Sequence, residues 1–259
     1  MIDAKMGRVS SGRWLMLSEC GLLIFGVLLS VVFYTARLGF YADDWAVLAT
    51  LDLADNHSTA ALVGQLTRDH RETVTRPLEV LFWVTFYQLF GLQPLGYHIV
   101  NALVLISNVL LFYFCLRELQ KSRLLTLAIP SLYMTLPHYS TDRFWISATI
   151  VSLSMALYFV SLFCDLRALR VFGWRFAAWK ASSVGALLGS TFAYETALPL
   201  FLINPLLVRF RGKTCRTEPI GKWKTRIALL ILYGSNAVNR CIRMPIKDDH
   251  RSEISNCRC

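Results

Sequence analysis

The chain has 259 residues, of which 55% are hydrophobic and 17% charged, with a mean hydropathy of +0.46 and a net charge of +10. Soluble domains average about 25% charged residues, and here the apolar residues come in long runs rather than in stripes with a polar face. That excludes an ordinary soluble domain and leaves length for about six or seven membrane spans. The basic residues sit in short loops between the apolar runs, the pattern set by translocation, so the positive charge does not call for a nucleic-acid partner. The seven cysteines are odd in number and have no metal-ligand spacing, and the long loop 35–96 contains none. They indicate neither a disulfide framework nor a zinc site.

In chain order, residues 1–13 carry Lys5, Arg8 and Arg13 and form a cytoplasmic N-terminus. Trp14 opens an apolar run to Tyr34, longer than the roughly 7–15 residues of a signal-peptide core, and is read as a retained first span. Glu19, one turn inside, is expected to snorkel to the interface. Residues 35–96 form a long outer loop with seven acids, four arginines and no lysine. Within it Asp52, Asp55, Asn56 and Ser58 have turn and cap chemistry, Thr59–Asp69 is weakly amphipathic, and Leu78–Phe90 is a short aromatic stretch that suits a helix lying in the interface.

Gly91 and Pro94 end that stretch. Further spans are expected at Ile99–Leu116, at Leu124–Leu136 (interrupted by Pro130) and at Phe144–Cys164, with a polar turn from Pro137 to Arg143 between the last two. Ala181–Val208 reads as two short helices meeting near Tyr194-Glu195-Thr196, because a single helix would put seven basic residues of the following loop on the outer face. On this topology the inner segments before residue 227 hold 3, 3, 4 and 7 basic residues and the outer ones four and one. After Ile227–Tyr233 the composition shifts. Residues 234–259 read either as a disordered end or as the tail of a chain cut short. The expected fold is therefore all-α: a polytopic transmembrane helical bundle over 14–233, with interfacial helices in its first outer loop.

The topology gathers Asp43, Asp44, Arg76, His98, Asn101, His138, Asp142 and Glu195 on one face. Adjacent carboxylates such as Asp43 and Asp44 can act as a general base, hold a divalent cation such as Mg or Mn, or both; the competing reading is a solvated cap. Arg76 offers a fork to a phosphate or to a lipid head group. His98 and Asn101 share a helix face and suit either catalysis or helix pairing. Glu195 faces a cavity or partners an arginine.

Tyr41-Ala42-Asp43-Asp44-Trp45 after the first span, Arg76-Pro77-Leu78, and Gly96-Tyr97-His98-Ile99-Val100-Asn101 opening the second come first. Pro137-His138 with Asp142 and Trp145, then Tyr194-Glu195-Thr196, follow. In this order they resemble the GT-C membrane glycosyltransferases, in particular the protein O-mannosyltransferase and arabinose-transferase branch. In many relatives a Glu stands at the place of Asp142, and a Lys precedes the Glu matching Glu195, where this chain has Tyr194. The resemblance covers about residues 14–208. It implies a GT-C-like helical bundle in a membrane, a bacterial inner membrane rather than that of the endoplasmic reticulum, with its active face extracytoplasmic. It also implies a polyprenyl-phosphate-linked sugar as donor, an acceptor hydroxyl on a protein, lipid or glycan, Asp43 or Asp44 as base, and Arg76 with His138 against the leaving phosphate. Membrane lipid is the other expected partner. A transporter or flippase, or an inactive truncated membrane fragment, are the alternatives.

Overall fold

A computed structural model describes residues 3–119, 122–136 and 139–207. The basic run after Val208, the segment Ile227–Tyr233, the tail 234–259 and His138 lie outside the described residues. The described chain is helical, with no strand: α1 Asp3–Thr35, α2 Ala42–Asp52, α3 Thr59–Asp69, α4 Pro77–Phe90, α5 Pro94–Leu119, α6 Arg123–Thr135, α7 Tyr139–Phe144, α8 Thr149–Ala168 and α9 Trp174–Ala193. Short 3₁₀ segments cover Arg71–Thr75 and Glu195–Leu202. Three stretches, Trp14–Thr35 of α1, all of α5 and all of α8, are long and apolar enough to cross a membrane. The chain is a membrane protein on that ground. Three is also the number among the described residues, fewer than its length allows.

Hydrogen bonds fix the directions of the long helices. Gly39, just past α1, accepts from His98 near the start of α5, while Glu19 of α1 meets Tyr113 near the end of α5, so α1 and α5 run antiparallel. Asn108 of α5 donates to the carbonyl of Ser152 and Cys115 to that of Phe159, which makes α5 and α8 parallel. Ser154 pairs with Ser190, Ser161 with Ser183 and Asp165 with Lys180, so α9 returns antiparallel to α8. Small hydroxyl-bearing residues suit this seam: apolar packing against lipid gives little net driving force, and close approach with interhelical bonds supplies it.

The loop 35–96 folds as a compact cap. Leu48 and Leu51 of α2, Leu62 and Leu66 of α3 and Val80, Trp83 and Val84 of α4 form one buried cluster with Tyr97, Ile146, Ile150 and Ala193. These last four come from the start of α5, the approach to and first turn of α8, and the end of α9. Ser58 caps α3 by accepting from the Ala61 amide, and Asn56 closes a turn on Ser58. The Tyr87 hydroxyl donates to Asp52 at 2.8 Å; burial and that carboxylate push the phenol up to about 12.

Gly91 ends α4 at φ 56°, a conformation that glycine adopts without a Cβ penalty. The chain then turns so that Gly96 lies beneath the Phe90 ring. A Cβ at Gly96 would overlap ring atoms, whereas one at Gly26 would meet only the terminal methyl and sulfur of Met134. Gly96→Ala is therefore expected to cost about 1–3 kcal/mol. Gly26→Ala is expected to stay within about 0.5 kcal/mol, with both read from thermal unfolding in detergent.

Four expectations are corrected. The stretch read as a polar turn from Pro137 to Arg143 is helical in its described part, as α7 over Tyr139–Phe144. The fourth apolar segment does not begin at Phe144. Residues 145–148 form a turn and α8 starts at Thr149, because the Ser147 amide is spent on Asp44 instead of on a helical carbonyl. Pro130 does not interrupt α6, which continues through it to Thr135. Glu19 does not snorkel: it is buried, accepts from Tyr113 and Arg123, and lies 3.9 Å from Arg117.

Candidate functional site

At the start of α2 the two adjacent aspartates take different places. Asp43 is exposed, whereas Asp44 is 0% exposed. Asp44 Oδ2 accepts from the Tyr41 amide at 3.0 Å, and Oδ1 accepts from the Ser147 amide at 2.8 Å and the Ser147 hydroxyl at 2.6 Å. The carboxylate thus caps α2 and ties it to the turn that launches α8. Its negative charge lies at a helix N-terminus, where orphan amides and the helix dipole favour it. Three donors and complete burial make Asp44 a holding group, and Asp43 presents the other carboxylate of the pair to solvent.

Two further polar residues brace the same end. His98 Nε2 lies 3.2 Å from the Gly39 carbonyl and donates to it, and Asn101 Nδ2 donates to the carbonyls of Asp142 and Arg143 at 2.9 and 3.1 Å. Both are buried. One turn of α5 therefore pins the α1–α2 connection and the end of α7 together. Asp142 is half-buried on α7 and its backbone carbonyl serves Asn101.

Arg76 stands at the N-cap of α4, where Pro77 fixes the first helical turn. Glu195 begins the 3₁₀ segment after α9, which stops at the extended residue Tyr194. The two meet across 119 positions of sequence: Arg76 Nε donates to Glu195 Oε2 at 2.8 Å, and Nη2 donates to Oε1 in the second arm of a bidentate pair. The guanidinium also stacks over the Tyr194 ring at 4.0 Å and lies 3.7 Å from Glu79. Hydrogen bonds from Arg76 hold the Glu195 carboxyl below its ordinary value, and Glu195 in turn pushes the guanidinium further up. Ser154 of α8 donates to the Tyr194 carbonyl at 2.9 Å, so this pair belongs to the same end of the bundle as Ser147 and Asp44.

Asp44, His98, Asn101, Asp142, Arg76 and Glu195 are thus brought to one end, and Asp43 with them by sequence. Two partners were missed by sequence reasoning. Ser147 looks like an ordinary small residue in an apolar run, and only the position of α2 reveals its role. Tyr194, read in the sequence only as the neighbour of Glu195, supplies the aromatic face beneath Arg76. As built, the Asp43–Asp44 pair does not fit a divalent cation, because Asp44 is enclosed and both its oxygens already accept hydrogen bonds. Among the described residues no three His, Cys, Asp or Glu side chains converge.

The opposite end has the other sign. Arg117 and Arg123 surround Glu19, Arg167 and Arg170 hold Glu118, and Lys180 bonds Asp165 at 2.7 Å. The two ends of the helices therefore carry different chemistry. Comparison with protein-family models, with characterised proteins and with solved structures returns no match.

Proposed function

We propose that this chain is an integral membrane glycosyltransferase of GT-C type, moving a sugar from a polyprenyl-phosphate donor to an acceptor hydroxyl at the extracytoplasmic face. The observation that carries the reading is the pairing of Arg76 with Glu195 at the end of the bundle where an exposed carboxylate, Asp43, is held in place by its buried neighbour. Basic residues gather at the other end, the side expected to stay in the cytoplasm.

In this reading Asp43 accepts the proton of the acceptor hydroxyl as its oxygen bonds the anomeric carbon. The bond from that carbon to the phosphate oxygen breaks, its electron pair leaves with the polyprenyl phosphate, and the configuration inverts. Arg76 exchanges Glu195 for the phosphate and stabilises its growing charge, an effect that ranks among the largest in catalysis. Asp44, His98 and Asn101 hold the connections that carry Asp43, and Asp142 on α7 gives its backbone carbonyl to Asn101. No step runs through a metal ion.

The test is transfer from a radiolabelled polyprenyl-phosphate sugar by purified protein in vesicles, with the donor class taken from mass spectrometry of lipids that co-purify. Asp43→Asn is expected to lower turnover by about 10²–10⁴-fold with unfolding unchanged. Turnover equal to that of the unaltered chain would remove Asp43 as the base.

A further inference from the structure

At the basic end, α1, α5 and α6 enclose a cleft of about 190 Å³ lined by Leu15, Met16, Glu19, Tyr113, Arg117, Arg123 and Thr126. We infer that this cleft is a binding site for the phosphate of an anionic glycerophospholipid in the leaflet at that end, gripped by Arg117 and Arg123.

The electrostatics of the cleft are asymmetric. Two guanidinium groups bring ten N–H donors, far more than one carboxylate and one phenol can accept. Glu19 is buried and takes Arg123 and the Tyr113 hydroxyl, and Tyr113 accepts from Arg117 at 2.7 Å. The buried acid therefore orients both arginines without neutralising them both. Their side chains are 43% and 59% exposed, so their charge is presented outward. A phosphodiester offers the planar pair of oxygens that guanidinium forks match, and basic pockets between membrane helices near the cytoplasmic surface are where anionic head groups lodge.

The walls suit the rest of such a lipid. Leu15 in the lining, and Trp14, Leu124 and Leu125, which adjoin lining residues in sequence on α1 and α6, are exposed apolar side chains. They supply a surface for acyl chains directly next to the cationic group. A free inorganic anion would have no use for that surface. The site is at the opposite end from Arg76 and Glu195 and does not depend on the sugar-transfer reading.

The experiment uses the full chain in phosphatidylcholine discs with increasing phosphatidylglycerol, read by native mass spectrometry of retained lipid and by thermal unfolding. Phosphatidylglycerol is expected to stay bound and to raise the unfolding temperature. Arg117→Gln with Arg123→Gln and Glu19→Gln leaves no buried orphan charge, so its folding in phosphatidylcholine alone serves as the control; retention should fall at least about tenfold. Glu19→Gln alone removes the competing carboxylate and should strengthen retention severalfold. Equal retention by the triple variant would overturn the inference, and so would protection by soluble glycerol phosphate equal to that of the lipid. If Glu19→Gln lowers stability while leaving lipid retention unchanged, the cluster is a structural clamp and the inference also fails.

Discussion

Asp44→Ala is expected to destabilise the chain by about 3–5 kcal/mol, read from thermal or denaturant unfolding in detergent. The substitution removes a fully buried acceptor and strands three part-buried donors, the amides of Tyr41 and Ser147 and the Ser147 hydroxyl. Hydrogen bonds to a charged acceptor contribute about 1.5–3 kcal/mol each, and the three are not additive because they share one carboxylate. Asp44→Asn should recover little of the loss. An amide has one oxygen to offer Ser147, and its NH₂ would then face the Tyr41 amide, donor against donor. Asp43→Ala, one residue away and exposed, should change stability by less than about 0.5 kcal/mol. Two neighbouring residues of the same type thus separate cleanly, one measured in stability and the other in turnover.

Arg76→Ala is expected to lower sugar transfer by about 10²–10³-fold, the loss typical of removing a charge stabiliser from a reacting centre. Its cost in stability should be only about 1–2 kcal/mol, since Glu195 is half-exposed and solvent screens the pair, the cation–π stack on Tyr194 adding the remainder. Arg76→Lys keeps the charge but loses the fork and the stack, so it should restore part of the turnover at most. The pH dependence has a definite sign. Glu195 has its folded-state value held below the ordinary 4.5 by the hydrogen bonds from Arg76. Its stabilising contribution is therefore in place above about pH 4.5 and drains away as the pH falls through the lowered folded value. Arg76, pushed upward, stays charged throughout that range. Glu195→Gln should abolish this acid-side loss, which unfolding measured between pH 3 and 6 would register.

Much of the local structure could be read from residue pattern. Thr59–Asp69 emerges as α3 with Ser58 as its cap, and the aromatic stretch Leu78–Phe90 as α4 from Pro77, because caps, proline and glycine act within a few residues of themselves. The break at Tyr194 was legible from charge: the basic loop that follows could not be assigned to the outer face. What sequence could not supply is pairing at long range. Ser147 shortens α8 only because Asp44 arrives from 103 positions away, and Glu19 is buried only because α5 and α6 bring Tyr113 and Arg123 to it. For the same reason the adjacent aspartates looked equivalent until the turn before α8 enclosed one of them.

The measurement that bears most directly on the central claim is sidedness. In a chain freed of its seven native cysteines, single cysteines are introduced as Asp43→Cys, Thr196→Cys and Arg123→Cys, and intact cells are treated with a membrane-impermeant thiol reagent. Positions 43 and 196 should both react from outside, and position 123 only after permeabilisation. Labelling of 43 and 196 from opposite compartments would contradict a shared polar end, and with it a pocket for a lipid-linked sugar.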